Sequence, residues 1–175
     1  MSLLQLYLTP WAPKAWTKNN VQLLHDGQSW FHNSACFNHP FNSTTGLIGP
    51  TAPETGLTLS ENQVRHILFS IGVMLLELVF NRPIESHPKR KIFFGPNNQP
   101  AEHTDECTAR EWSKSVLGEC GIEVSDVIRR CLDCSFGPPP NLGDRKFREA
   151  LQAHVIEPLE QVCERLWASS SKQHP

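Results

Sequence analysis

The chain has little charge of either sign in excess. Its 16 Lys and Arg stand against 18 Asp and Glu, a formal net charge of -2. That balance gives no electrostatic reason to expect a nucleic-acid backbone as partner. Six Cys in 175 residues are too few for a disulfide scaffold. No positively charged, apolar, small-residue leader opens the sequence, so the expected compartment is the reducing cytoplasm. Long apolar runs are also scarce. The strongest runs from Ile67 to Phe80, broken by Ser70, Gly72 and Glu77. Such a run extends roughly 21 Å as a helix, short of a bilayer core of about 30 Å, so a membrane span is not expected. Internal repeats and low-complexity tracts are absent as well.

What is present points to a globular, mainly α chain. The composition is 39% hydrophobic and 19% charged, which is neither disordered nor fibrous. Proline is abundant, at 14 residues, so stiff irregular connections are expected. Leu3, Leu4, Leu6 and Leu8 form a short apolar segment that begins directly after Met1, as though the sequence entered in mid-fold. From Pro10 to Glu61 the pattern is loop-rich, with short strand candidates at Val21–Leu24 and around Trp30–Phe31.

Helix signals dominate the remainder. Ser60 and Gln63 have capping-box spacing ahead of the apolar run, and Asn81-Arg82-Pro83 stops it. The resulting central helix is expected to be buried on nearly all faces. Residues 84–104 read as a polar surface connection. A weaker helix is expected over Cys107–Leu117, with Ala109, Trp112 and Val116 on one face and with Gly118 and Gly121 bracketing its end. Val124, Val127, Ile128, Cys131 and Leu132 mark an amphipathic helix that Pro138-Pro139-Pro140 cannot extend. A last helical pattern runs from Phe147 to Trp167, with Pro158 expected to kink or split it. One domain over residues 1–168 and a disordered tail over 169–175 follow from this pattern.

Several features then align in order. Ala52-Pro53-Glu54 closes the loop-rich stretch. Ser70-Ile71-Gly72-Val73 and Leu75-Leu76-Glu77-Leu78 follow, then Asn81-Arg82-Pro83, and much later Arg130-Cys131-Leu132-Asp133. In order and spacing these resemble the C-terminal lobe of a protein kinase. They match the A-P-E that closes the activation segment, the S-x-G-V-x-L-x-E-L central helix with its G-R-P-P end, and the R-C-L-D of a late helix. The resemblance covers about 100 of the 175 residues. It implies a helical bundle around a buried central helix, with few short strands and long Pro-rich loops. It also implies that Glu54 pairs with an Arg late in the chain, for which Arg145 is the best-placed candidate.

The same resemblance shows what is missing. No Gly-rich loop and no phosphate-pairing strand Lys precede the segment. With Asn20-Val21 aligned to the end of H-R-D-x-x-x-x-N-I, Ala15 falls where the catalytic Asp belongs, and Ala cannot accept a hydroxyl proton. No D-F-G occurs, and Ile67 replaces the Asp that opens the central-helix motif. The resemblance therefore implies a kinase-like C-lobe with its N-lobe absent, no catalytic residues, no nucleotide, no cofactor and no metal, acting on a protein partner. The alternative is a fragment of a larger kinase-like protein with residual phosphotransferase activity. Pro10-Trp11-Ala12-Pro13 with Trp16 is similar to a fungal kinase-like domain of undefined function, often found after helical prion-inhibition or incompatibility modules.

Two residues are expected at an interaction surface. Trp11 and Trp16 lie in the aromatic-bearing stretch that would face the missing N-lobe, and apolar patches of this kind mark interfaces. Metal readings are weaker. Cys131-x-x-Cys134 lacks a second Cys pair, and Cys131 falls on the apolar face of its helix, which fits a small buried thiol. His32, Cys36 and His39 lack an evident fourth ligand. Asn42-Ser43-Thr44 matches a glycosylation acceptor but has no secretory leader ahead of it.

Overall fold

The computed structural model describes residues 21–25, 30–37 and 59–170. By its internal contacts the chain divides into two units, residues 1–58 and 59–175.

Within the first unit, β1 (Val21–His25) pairs antiparallel with β2 (Trp30–Phe37). Val21 stands opposite Phe37 and Leu23 opposite Ala35, with an irregularity between Leu23 and His25. Both strand candidates are found there, and β2 runs further than its aromatic start indicated.

The second unit is mainly helical. Its first helix, α1 (Glu61–Phe80), begins where the capping signal places it. The backbone N–H of Ser60 donates to Gln63 Oε1 at 2.8 Å, and the N–H of Gln63 donates back to Ser60 Oγ at 3.3 Å. Two otherwise unpaired donors of the first turn are thereby satisfied. Asn81 ends the helix in the left-handed conformation, φ 48°, with its N–H on Glu77 O. Glu77, the one charge in the apolar run, accepts from the N–H of Ile84 at 2.8 Å and so ties the helix to the turn that follows.

Burial along α1 departs from the expected pattern. Val64, Ile67, Leu68, Gly72 and Leu76 are buried, whereas Leu78 is 73% exposed. The helix is buried along one face, because among the described residues its neighbours are the turn at Ile84–Ser86 and the next two helices, α2 (Thr104–Ser113) and α3 (Val116–Asp133).

Residues 84–104 are more than a polar connection. They hold two 3-10 turns, Ile84–Ser86 and Arg90–Phe93, in which Ile84 and Arg90 are buried. Arg90 pairs with Asp105 in the first turn of α2. Thr104 Oγ1 donates to Phe93 O and accepts from the N–H of Ala101, both at 2.8 Å. The segment is thus fastened to α2 by polar contacts at specific points.

The Gly118–Gly121 region also differs from expectation. The α2 helix stops at Ser113, α3 starts at Val116, and Gly118 lies inside α3. Gly121 interrupts α3 with φ 81° and ψ 180°, a conformation open to glycine and strained for other residues. The predicted buried face is present on both helices, with Ala109, Trp112, Val116, Val124, Val127, Ile128, Cys131 and Leu132 all in the core. Trp112 is stacked on Phe80 at 5.0 Å between ring centres. The Arg82 guanidinium lies 5.3 Å from the Trp112 ring centre and 5.8 Å from that of Phe80, within cation–π range.

After Cys134 closes α3 in the left-handed conformation, the proline run leads to α4 (Arg145–Leu151), which Asp144 caps by accepting from the N–H of Lys146. A single π turn, Gln152–Ile156, then joins α4 to α5 (Glu157–Ser170). Pro158 accounts for that widening, since it has no N–H to give to the preceding turn and its ring crowds the carbonyl four residues back. The split predicted at Pro158 therefore takes the form of a π turn. The α5 helix reaches Ser170, past the point where the polar run placed the start of the tail.

Candidate functional site

The helical unit carries an open groove of about 690 Å³. One wall is the amino-terminal half of α1, with Asn62, Arg65, His66 and Phe69. The facing wall comes from residues 102–106 and Arg110, at and within α2. The end of α3 closes the groove with Leu132, Asp133 and Cys134. Helical spacing puts Arg65, His66 and Phe69 on one side of α1, and the same spacing sets Glu106 against Arg110.

Charge on the two walls is unequal. Arg110 donates to Asp133 and to Glu106, the latter at 3.2 Å, so one guanidinium serves two carboxylates. Partial burial pushes its pKa down, but Asp133 and Glu106 outweigh that, and the net direction is up. Asp105 is held by Arg90. His103 Nδ1 lies 3.7 Å from Glu106 Oε2. Neither Glu102 nor Arg65, the latter on α1, belongs to an ion pair among the described residues.

Apolar contact in the groove comes from Phe69, which is half-buried, and from Leu132, which is buried. Cys134 supplies a thiol at the edge. Burial pushes that thiol's pKa up and Glu61 adds to the rise, against the opposing charge of Arg65. A raised thiol pKa lowers the share of thiolate, the nucleophilic form, at neutral pH. Cys131, one helical turn away, is fully buried and pushed up to about 12, first by burial and then by Cys134. It packs as an apolar group. No group of three or more His, Cys, Asp or Glu among the described residues is placed to hold a metal ion. The groove thus presents charged side chains around a partly exposed apolar surface.

The residues singled out from the sequence fall in several places. Ser70 Oγ donates to His66 O at 2.9 Å, a bond within α1. Gly72 is buried, and a Cβ there would stand 2.8 Å from Leu132 Cδ2 and 3.3 Å from Cys131 Cβ. The S-x-G segment and the R-C-L-D segment, sixty residues apart in sequence, are therefore in direct contact. Arg145 is 80% exposed, with its Nε 3.6 Å from Glu149 Oε1, an ion pair within α4. The side chain expected to enter a buried pair with Glu54 is at the surface, because it occupies the first, solvent-facing turn of a helix whose inward positions are Phe147 and Leu151. Ala52, Pro53, Glu54, Trp11 and Trp16 lie outside the described residues, as do Ala15, Asn20 and His39.

Sequence reasoning missed most of the groove. Arg65, His66, Glu102 and Arg110 carry no motif, whereas Leu132, Asp133 and Cys134 belong to segments already picked out. The Glu106–Arg110 spacing was the one available local signal.

The chain belongs to the family described as Domain of unknown function (DUF7580), whose model matches residues 1–166. No curated protein and no solved structure matches it.

Proposed function

We propose that this DUF7580 domain is a kinase-like C-lobe without phosphoryl-transfer chemistry, serving as a cytoplasmic module that binds a protein partner through the groove between α1, α2 and α3. The observation that carries the reading is the seat of Gly72 against Leu132 and Cys131. The two segments that resemble kinase motifs meet at this glycine, whose missing side chain lets the late helix approach closely. The capped α1 that ends at Asn81-Arg82-Pro83 supports the same reading. Against chemistry stand Ala15 at the position of the catalytic base, the missing D-F-G, and Ile67 where the motif has Asp. The fungal signalling or incompatibility setting implied by the Trp11–Trp16 stretch belongs to this proposal as well.

The test is thermal unfolding of the full chain with and without millimolar ATP and magnesium. A nucleotide at a hundred times its dissociation constant adds about 2.7 kcal/mol, a rise of roughly 5–10 °C for a chain of this size. The expected result is no magnesium-dependent change in Tm. A clear magnesium-dependent rise would overturn the proposal and favour a retained phosphotransferase site.

A further inference from the structure

We infer that the occupant of the groove is a cationic peptide segment of the partner, carrying one apolar side chain for the Phe69–Leu132 floor. The inference rests on the binding role proposed above and specifies its chemistry. The groove is lined by four carboxylates, Glu102, Asp105, Glu106 and Asp133, and by two guanidinium groups, Arg65 and Arg110. With its histidines neutral, the described lining carries an excess of two negative charges, one of which, at Asp105, Arg90 offsets from just outside the groove.

Its distribution on the walls sharpens the argument. Arg110 is spent between Glu106 and Asp133, and Arg90, outside the groove, answers Asp105. Glu102 is left without an ion pair among the described residues, so the α2 wall presents uncompensated negative charge. On the opposite wall Arg65 is the one guanidinium of the described lining outside any ion pair. An incoming Lys or Arg is drawn to the α2 wall and repelled by the α1 wall, which fixes the side on which the segment lies. An acidic segment meets the reverse, with the unpaired Glu102 and the shared carboxylates of Glu106 and Asp133 against it. The floor gives the second half of the recognition. Phe69 is partly covered and Leu132 buried beneath it, so an apolar side chain laid between the walls covers the remaining Phe69 surface.

The experiment measures binding of the full chain to labelled peptides by fluorescence anisotropy. The peptides share length and apolar content and differ in net charge, being basic, neutral or acidic. The expected order is basic tightest, with affinity falling as salt rises. Glu102→Lys should weaken the basic peptide roughly tenfold, and Arg65→Glu should strengthen it. Glu119→Lys makes the same charge change on an exposed residue in the first turn of α3, at the far end of that helix from Asp133, and should change little. Equal loss from Glu119→Lys and Glu102→Lys would mean general charge attraction and would overturn the inference. Equal binding of all three peptides, weakened by Phe69→Leu, would overturn the cationic preference while leaving groove binding standing. No binding by any peptide would also overturn it, and the nucleotide measurement would still decide the non-catalytic reading separately. Circular dichroism of each variant confirms that the folded chain is being compared.

Discussion

Gly72 shows how one residue sets a helix contact. The ideal Cβ position lies 2.8 Å from Leu132 Cδ2 and 3.0 Å from Leu132 Cγ, closer than side-chain carbons approach. Leu132 is 6% exposed and packs in the core cluster, so its displacement disturbs that packing. Gly72→Ala should therefore cost about 1–3 kcal/mol through overpacking, less the few tenths to one that alanine returns in helix propensity. In a denaturation series, Gly72→Ala combined with Leu132→Ala should cost less than the sum of the two single changes, because the smaller partner relieves the clash. Strict additivity would mean that the contact carries no energy. His87 gives a second prediction at this scale. Its ring lies 5.3 Å from that of Trp112. Burial lowers its pKa first, Arg82 and Lys89 lower it further, and Glu111 opposes them. The folded state thus disfavours the imidazolium, while the unfolded chain takes up the proton near pH 6.5. Stability from this residue is fully present above that value and is lost as pH falls from about 6.5 toward the lowered folded pKa. Tm should drop across this window in the wild-type chain, and His87→Asn should flatten the drop. An unchanged slope in the variant would place the dependence elsewhere.

At the scale of elements, legibility followed periodicity. Ser60 with Gln63 fixed the start of α1, and the spacing of Val124, Val127, Ile128, Cys131 and Leu132 gave the buried face of α3. Ala109, Trp112 and Val116 were placed correctly on a buried face although the helix boundary between them was not, since apolar spacing runs on through the break at Lys114 and Ser115. Residues 84–100 stayed unreadable for a physical reason. Their burial falls on single residues in 3-10 turns, Ile84 and Arg90, and their order comes from hydrogen bonds to α2, which leave no period in the sequence. The groove was illegible for a related reason, as it is assembled from three separated segments whose polar residues look like ordinary surface until they face one another. The cap is the part of α1 most open to a test. Ser60→Ala removes the acceptor for the Gln63 N–H and should cost about 1 kcal/mol. Ser60→Asp, which keeps an acceptor and places negative charge at the helix start, should recover most of that loss. Equal destabilisation by both changes would show that the box contributes through something other than the cap.

For the whole molecule, the mainly α class was legible because helix signals occupy most of the chain after Leu59, and the two strands were legible as short runs of strand-forming residues. The argument against a membrane span was less secure than the run from Ile67 to Phe80 made it look. The α1 helix has 20 residues, about 30 Å, with mean hydropathy 1.6 in its most apolar window, and is thus long and apolar enough to cross a bilayer by length and composition. Length alone cannot decide the matter, so the decision passes to what the helix touches. Leu76 is fully buried in one cluster with Trp112, Val116, Val124 and Ile128, and Gly72 is closed by Leu132. Inserting α1 into lipid would empty that core. Its first turns would also carry Glu61, Arg65 and His66 into the membrane interface. The full chain should therefore remain with the aqueous fraction when mixed with neutral phospholipid vesicles and floated on a density gradient. Its far-UV and near-UV circular dichroism should not change with lipid. Flotation that survives alkaline carbonate, together with loss of the near-UV signal from the packed Trp112, would show that α1 leaves its core for the bilayer, and the kinase-like reading would fall with it.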